Sequence, residues 1–228
     1  MLLLTSPLQV TILFGISLLK GAIPQDRWEL FERYYTLLRD REAQKTGPDS
    51  KLIRDFKRQI DAIHYQAGFI LHAISETAGS ANPHLTIAQF RALVVRLLAD
   101  EEFSSEDVSS ISEQLVRIAT ERLVLLACRV EGRIAFDVRS LQEFMAAAQI
   151  AAFSSSVVVQ RLRAISLSAH WQHVFRIAAS KIFSVAELGP LRSEVLAICH
   201  ALDNGDLGDD GRLVRAGASG PNLTFRFA

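Results

Sequence analysis

With 228 residues, 49% of them apolar and 22% charged, the chain has the composition of a folded globular protein and not of a disordered one. Its 25 Lys and Arg balance its 25 Asp and Glu, so it advertises no strongly electrostatic partner such as a long nucleic acid. The two cysteines, Cys128 and Cys199, stand in unrelated contexts, which excludes a disulfide-stapled secreted framework and points to a reducing, cytoplasmic compartment.

The N-terminal stretch MLLLTSPLQVTILFGISLLKGAIP has the apolarity of a signal peptide but not its layout. It has no basic start, and its one cation, Lys20, lies at the far end. Thr5, Ser6, Pro7, Gln9 and Thr11 interrupt it too often for a membrane span. A buried amphipathic helix from Pro7 to about Leu19 fits better, because proline suits a first helical turn.

Gly21 and Pro24 stop that helix and open the next, on which Trp28, Phe31, Tyr35 and Leu38 recur at helical spacing. TGPDS, residues 46–50, reads as a linker. From Lys51 to Thr77 the residues Ile53, Phe56, Ile60, Ile63, Ala67, Ile70 and Ile74 draw one long apolar stripe, which Gly79 and the following SANPH break. Thr86 and Gln89 stand at capping-box spacing ahead of a helix to about Ala99. Ser104 or Ser105 caps another that carries Val108, Ile111, Leu115 and Ile118.

The period then changes. Residues 123–138, LVLLACRVEGRIAFDV, are rich in β-formers around Glu131-Gly132 and read as a β-hairpin. Ser140 and Glu143 have the spacing of a second capping box, followed by a helix to about Ala152. Three helices and then a hairpin are the layout of a winged-helix domain. The last third is helical at about 156–166, 169–183 and 190–202, with an irregular tail from Asp203.

No phosphate-cradling G-x-x-x-x-G-K-[ST] loop, no G-x-G-x-x-G, no G-x-S-x-G and no H-E-x-x-H occurs. His170 and His173 have a spacing that can share a metal, but no Cys, Asp or Glu beside them completes a ligand set. DNGDLGDDG, residues 203–211, is acidic but fails the spacing of a calcium loop. His64 and His72, eight residues apart on a mostly apolar helix, read as core histidines. Nothing in the chain is a self-sufficient active site.

The strand followed by SLQEFMAA resembles the end of the winged-helix domain in NACHT-type NTPases of the STAND class. There an aromatic strand, a polar pair, Gln-Glu-aromatic and two small residues follow one another. Phe136, Gln142, Glu143, Phe144, Ala146 and Ala147 carry the match. The opening of the chain is similar to the family's helical lid, in which a short polar residue and Pro-Leu precede a Leu/Ile-Pro turn and an aromatic helix. Here Ser6, Pro7, Leu8, Pro24, Glu29, Phe31, Glu32 and Tyr34 correspond. AHWQHVFRIAASKIF, residues 169–183, is similar to the His-Trp-x-x-Val-Phe helix that follows the winged helix in bacterial members.

The resemblance, which covers about residues 2–228, implies a mainly α fold: a helical bundle with a central winged-helix domain carrying one short β-hairpin. It divides the chain into a helical lid remnant at 1–50, the winged-helix domain at 51–153 and a second helical domain at 154–228. The family's P-loop, Walker B acids and sensor arginine would all lie N-terminal to Met1. The expectation is therefore a non-catalytic regulatory segment, with no enzyme activity alone. ATP or ADP is implied only for the complete module, and the partner would be a P-loop NTPase core in cis or in trans.

In the family this segment closes over ADP at rest and swings about a hinge on activation; here the hinge would lie near TGPDS. Bacterial relatives serve in anti-phage defence or signalling. Pro7 corresponds to the residue that packs on adenine. The histidine that reads the β-phosphate of ADP in many animal members corresponds to Val138, which leaves Arg139 as the candidate phosphate contact. Apolar surface around residues 2–19 would be exposed without the core, so self-association is expected. The alternative is a winged-helix DNA-binding regulator. Its candidate recognition helix sets Arg117 and Arg122 against Glu106, Asp107, Glu113 and Glu121, the wrong sign for a phosphate-lined groove, which makes a nucleic-acid partner unlikely on charge. No membrane partner is expected.

Overall fold

The computed structural model describes residues 10, 12–15, 23–77, 83–101, 103, 105–123 and 125–204. Helices dominate: α1 (Arg27–Gln44), α2 (Pro48–Asp55), α3 (Lys57–Thr77), α4 (Ile87–Ala99), α5 (Ser105–Arg117), α6 (Arg139–Ile150), α7 (Ser155–Ile165), α8 (Gln172–Ser184) and α9 (Arg192–Asp203). Three short strands, β1 (Leu85–Thr86), β2 (Leu126–Val130) and β3 (Arg133–Phe136), form one antiparallel sheet in the order β1–β3–β2. Among the described residues, no helix is long and apolar enough to cross a membrane.

The run α3–β1–α4–α5–β2–β3 is a winged helix. Its hairpin turns at Glu131-Gly132, where Gly132 takes φ +74°, a left-handed value that suits glycine. Val130 pairs with Arg133 and Leu126 with Phe136, with an irregularity between Ala127 and Val130. β1 closes the sheet by pairing Leu85 with Ile134 and Thr86 with Arg133. This third strand is absent from the sequence reading because two residues carry no period. The Thr86–Gln89 capping box forms: the Gln89 N–H donates to Thr86 Oγ1 at 3.2 Å, and the Thr86 N–H to Gln89 Oε1 at 2.8 Å.

Other expectations are corrected. Helix α1 starts at Arg27, not at Pro24, because Asp26 caps it by accepting the Glu29 N–H at 2.9 Å. TGPDS is a connection only at Thr46 and Gly47: Gly47, at φ +124°, is the N-cap of α2, and Pro48 is its first residue. The stripe expected from Lys51 to Thr77 is split at Phe56 into α2 and α3. Helix α5 runs on into a π-helical turn at Ile118–Arg122, and a 3₁₀ segment at Ala186–Leu191 precedes α9. Of the helix expected at Pro7–Leu19, Val10 and residues 12–15 are helical. Ser104 and the acidic stretch beyond Asn204 lie outside the described residues.

The second expected capping box does not form. Helix α6 begins at Arg139 with Val138 as a cap that offers no side-chain bond, so Ser140 is already inside the helix. Glu143 pairs with Arg139 one turn back instead. One core runs through the whole arrangement, and α6 is its axis: every residue from Leu141 to Ala148 is buried. The small run Ala146–Ala148 lets α3 lie against α6 at close range.

Candidate functional site

The site builds outward from the N-terminus of α6. Its first residues face a cleft of about 460 Å³, lined from α3 by Ser75, from the segment before β1 by Pro83 and His84, and from the sheet by Ala127, Val130, Arg133, Ala135 and Phe136. Asp137, Arg139 and Gln142 complete the wall. Arg139, the candidate phosphate contact, therefore lies on a cleft wall. Its side chain is 63% exposed and its Nε donates to Glu143 Oε1 at 3.1 Å. Pro7, the candidate adenine contact, lies outside the described residues. Gln142 is buried yet lines the cleft.

Behind this wall α1, α6 and α8 pack on one another, and α6 meets α1 at Phe144. Its ring lies 4.9 Å from that of Trp28, 5.9 Å from Phe31 and 6.5 Å from Tyr35, all on α1. Lys181 of α8 sits 4.4 Å above the Trp28 ring. Burial pulls the Lys181 ammonium below its usual range and pushes the Glu32 carboxyl up, each countered in part by the other's charge. Beside them Tyr35 donates to Asp61 Oδ1 at 2.7 Å, and Arg39 grips both Asp61 oxygens at 2.6 and 2.8 Å.

The two histidines of the candidate metal pair part company. His170 turns to α3, where its ring lies 4.3 Å from His72, while His173 faces Arg27 at 3.5 Å. His72 and His170 each place Nε2 near the other's backbone carbonyl, at 3.3 and 3.0 Å. Ser75 Oγ donates to the His72 carbonyl at 2.7 Å, and Trp171 Nε1 to Glu76 at 2.5 Å. His72 Nδ1 is buried without a partner. Burial, then the His170 ring, Arg139 and His173, hold His72 neutral with its pKa down at about 3. Among the described residues, no group of three or more His, Cys, Asp or Glu could hold a metal ion.

The basic residues of the expected recognition helix are spoken for. Arg117 donates to both oxygens of Asp49, at 3.0 and 2.6 Å, and Arg122 Nε donates to Oδ2 at 2.8 Å. This clamp ties the start of α2 to the end of α5 and its π turn, and it holds the Asp49 carboxyl down at about 2. Sequence reading missed it, because residues 68 and 73 positions apart leave no local signature. No protein-family model, curated protein or solved structure matches this chain.

Proposed function

We propose that this chain is the regulatory, non-catalytic segment of a NACHT-type signalling NTPase, a lid that packs over bound nucleotide and gates assembly of the NTPase cores in bacterial defence or signalling. One observation supports the reading: the α1, α6 and α8 segments, which resemble the family at three separate places in the chain, pack on one another. A chance likeness in three short motifs has no reason to bring the three helices into contact. The winged-helix order between α3 and β3, and an arginine on the cleft wall next to the position where the family reads a phosphate, point the same way.

On this reading the chain positions and excludes, and a P-loop core supplies the chemistry. Phosphoryl transfer needs the phosphates held in line beside Mg²⁺, and no residue set here does that. The chain is a two-state element whose preference is set by nucleotide and by a distant sensor. DNA binding is disfavoured, since Arg117 and Arg122 are committed to Asp49 on an acidic helix. The test is nucleotide release. Joined to its P-loop core, the segment should retain ADP, and Arg139→Glu should speed release about tenfold or more, as the loss of one charge-assisted contact does. ATP hydrolysis by this chain alone, or release indifferent to both the segment and Arg139, would refute the reading.

A further inference from the structure

We propose that the cleft between the sheet and the N-terminus of α6 is a binding site of this chain's own for a small organic oxyanion, gripped by Arg133, Arg139 and the amide of Gln142. It shares Arg139 with the nucleotide reading but does not rest on it, because every wall of the cleft comes from this chain.

Gln142 is the starting point. Within the buried run Leu141–Ala148 it and Glu143 are the polar residues, at 5% and 7% exposure. Glu143 is neutralised by Arg139, whereas the Gln142 side chain has no hydrogen-bond partner among the described residues. Its polar atoms are not among the buried side-chain atoms left without a partner, so they reach the solvent of the cleft and are free to meet a ligand there. Its side chain opens on the cleft.

The helix end supplies a second element. No side chain caps α6 at Val138; the Leu141 and Gln142 N–H groups donate to the Val138 carbonyl at 3.0 and 3.2 Å, and the positive end of the helix dipole lies at Arg139 on the cleft wall. Two arginines line the same cleft, Arg139 on the helix and Arg133 on β3. The carboxylate on the wall, Asp137, is exposed and has an interaction partner of its own.

Pro83, Ala127, Ala135 and Phe136 give the cleft an apolar side. An inorganic ion would leave that side uncovered. A molecule with an apolar body and one phosphate or carboxylate head matches both halves, and about 460 Å³ lies within the usual size of small-molecule sites, about 300–1,000 Å³.

The test is calorimetric titration of the purified chain with phenyl phosphate and, separately, benzoate. Saturable binding of at least one is expected, weakened about tenfold by Arg133→Ala and by Gln142→Leu and weakened by added salt. The better-bound probe identifies the head group as phosphate or carboxylate. Arg133 is exposed, so its variant should fold normally whatever Gln142→Leu does. No saturable binding of either probe, or binding that neither substitution changes, overturns the proposal. The nucleotide reading is judged on different evidence, the P-loop core and ADP release, so the two can fail separately.

Discussion

Gly68 of α3 faces Met145 of α6 with no room between them for another carbon. A Cβ built on Gly68 would clash with Met145 Cβ and lie 3.1 Å from both the Ala146 nitrogen and the Gln142 carbonyl oxygen. Two of these three neighbours are backbone, so the contact cannot relax by turning a side chain. Gly68→Ala should therefore destabilise the protein by about 1–3 kcal/mol, although alanine gains about 1 kcal/mol in an isolated helix. Urea denaturation of the variant reads this directly, and an unchanged or raised midpoint would show that α3 and α6 can part cheaply.

Phe144 is fully buried and touches three aromatic rings of α1, so Phe144→Ala should cost about 3–5 kcal/mol. The loss is expected to loosen α1 from α6 and to shift the emission of Trp28 to the red. Denaturation followed by tryptophan fluorescence checks both effects together.

Asp49 gives an acid dependence with a definite sign. Its folded pKa of about 2 lies below the unfolded value near 3.9, so its contribution is present in full above about pH 4 and lost as pH falls through about 2. Its partners are half exposed, at 43% and 48%, so solvent screening reduces the contribution to about 1–2 kcal/mol. Asp49→Asn should remove that amount at neutral pH and flatten stability between pH 4 and 2, measured as denaturation midpoints across a pH series.

His72 acts at milder pH. Its folded pKa of about 3 lies below the unfolded value near 6.5, so the unfolded chain takes up a proton that the folded one refuses. Stability is complete above about pH 6.5 and falls by about 1.4 kcal/mol per unit below it, towards pH 3. Buried His64, also shifted down by desolvation, adds in the same direction. His72→Phe should reduce the slope by about one proton, and an unaltered slope would mean that His72 protonates without leaving its place.

Val10 and Phe14 are 51% and 66% exposed on the described part of the N-terminal segment. Sedimentation equilibrium should accordingly find concentration-dependent self-association of the isolated chain, reduced by Phe14→Glu. A strict monomer at high concentration would contradict the expectation that this surface is made to be covered.

Much of the fold was legible in the sequence, for particular reasons. The hairpin was, because Glu131-Gly132 supplies a turn that accepts positive φ between two β-rich runs. The Thr86–Gln89 cap was, because its chemistry is local. The Ser140–Glu143 box failed on the same spacing because Arg139 entered the helix and took Glu143 as an ion-pair partner. The break at Phe56 was invisible, since the apolar stripe continues across it. Of the candidate site, Arg139 was named from the resemblance, and the structure places it on the cleft wall. The cleft it shares with Arg133 and Gln142, the Asp49 clamp and the His72–His170 pair all depend on distant segments meeting, which no local pattern records.

The most direct test of the regulatory reading is to sequence the coding DNA immediately upstream of the Met1 codon. The account predicts a P-loop and an acidic Walker B strand there, in frame or displaced by a single frameshift. If none of the forward frames encodes either, and no neighbouring gene encodes a P-loop core that could act in trans, the nucleotide-lid function is contradicted.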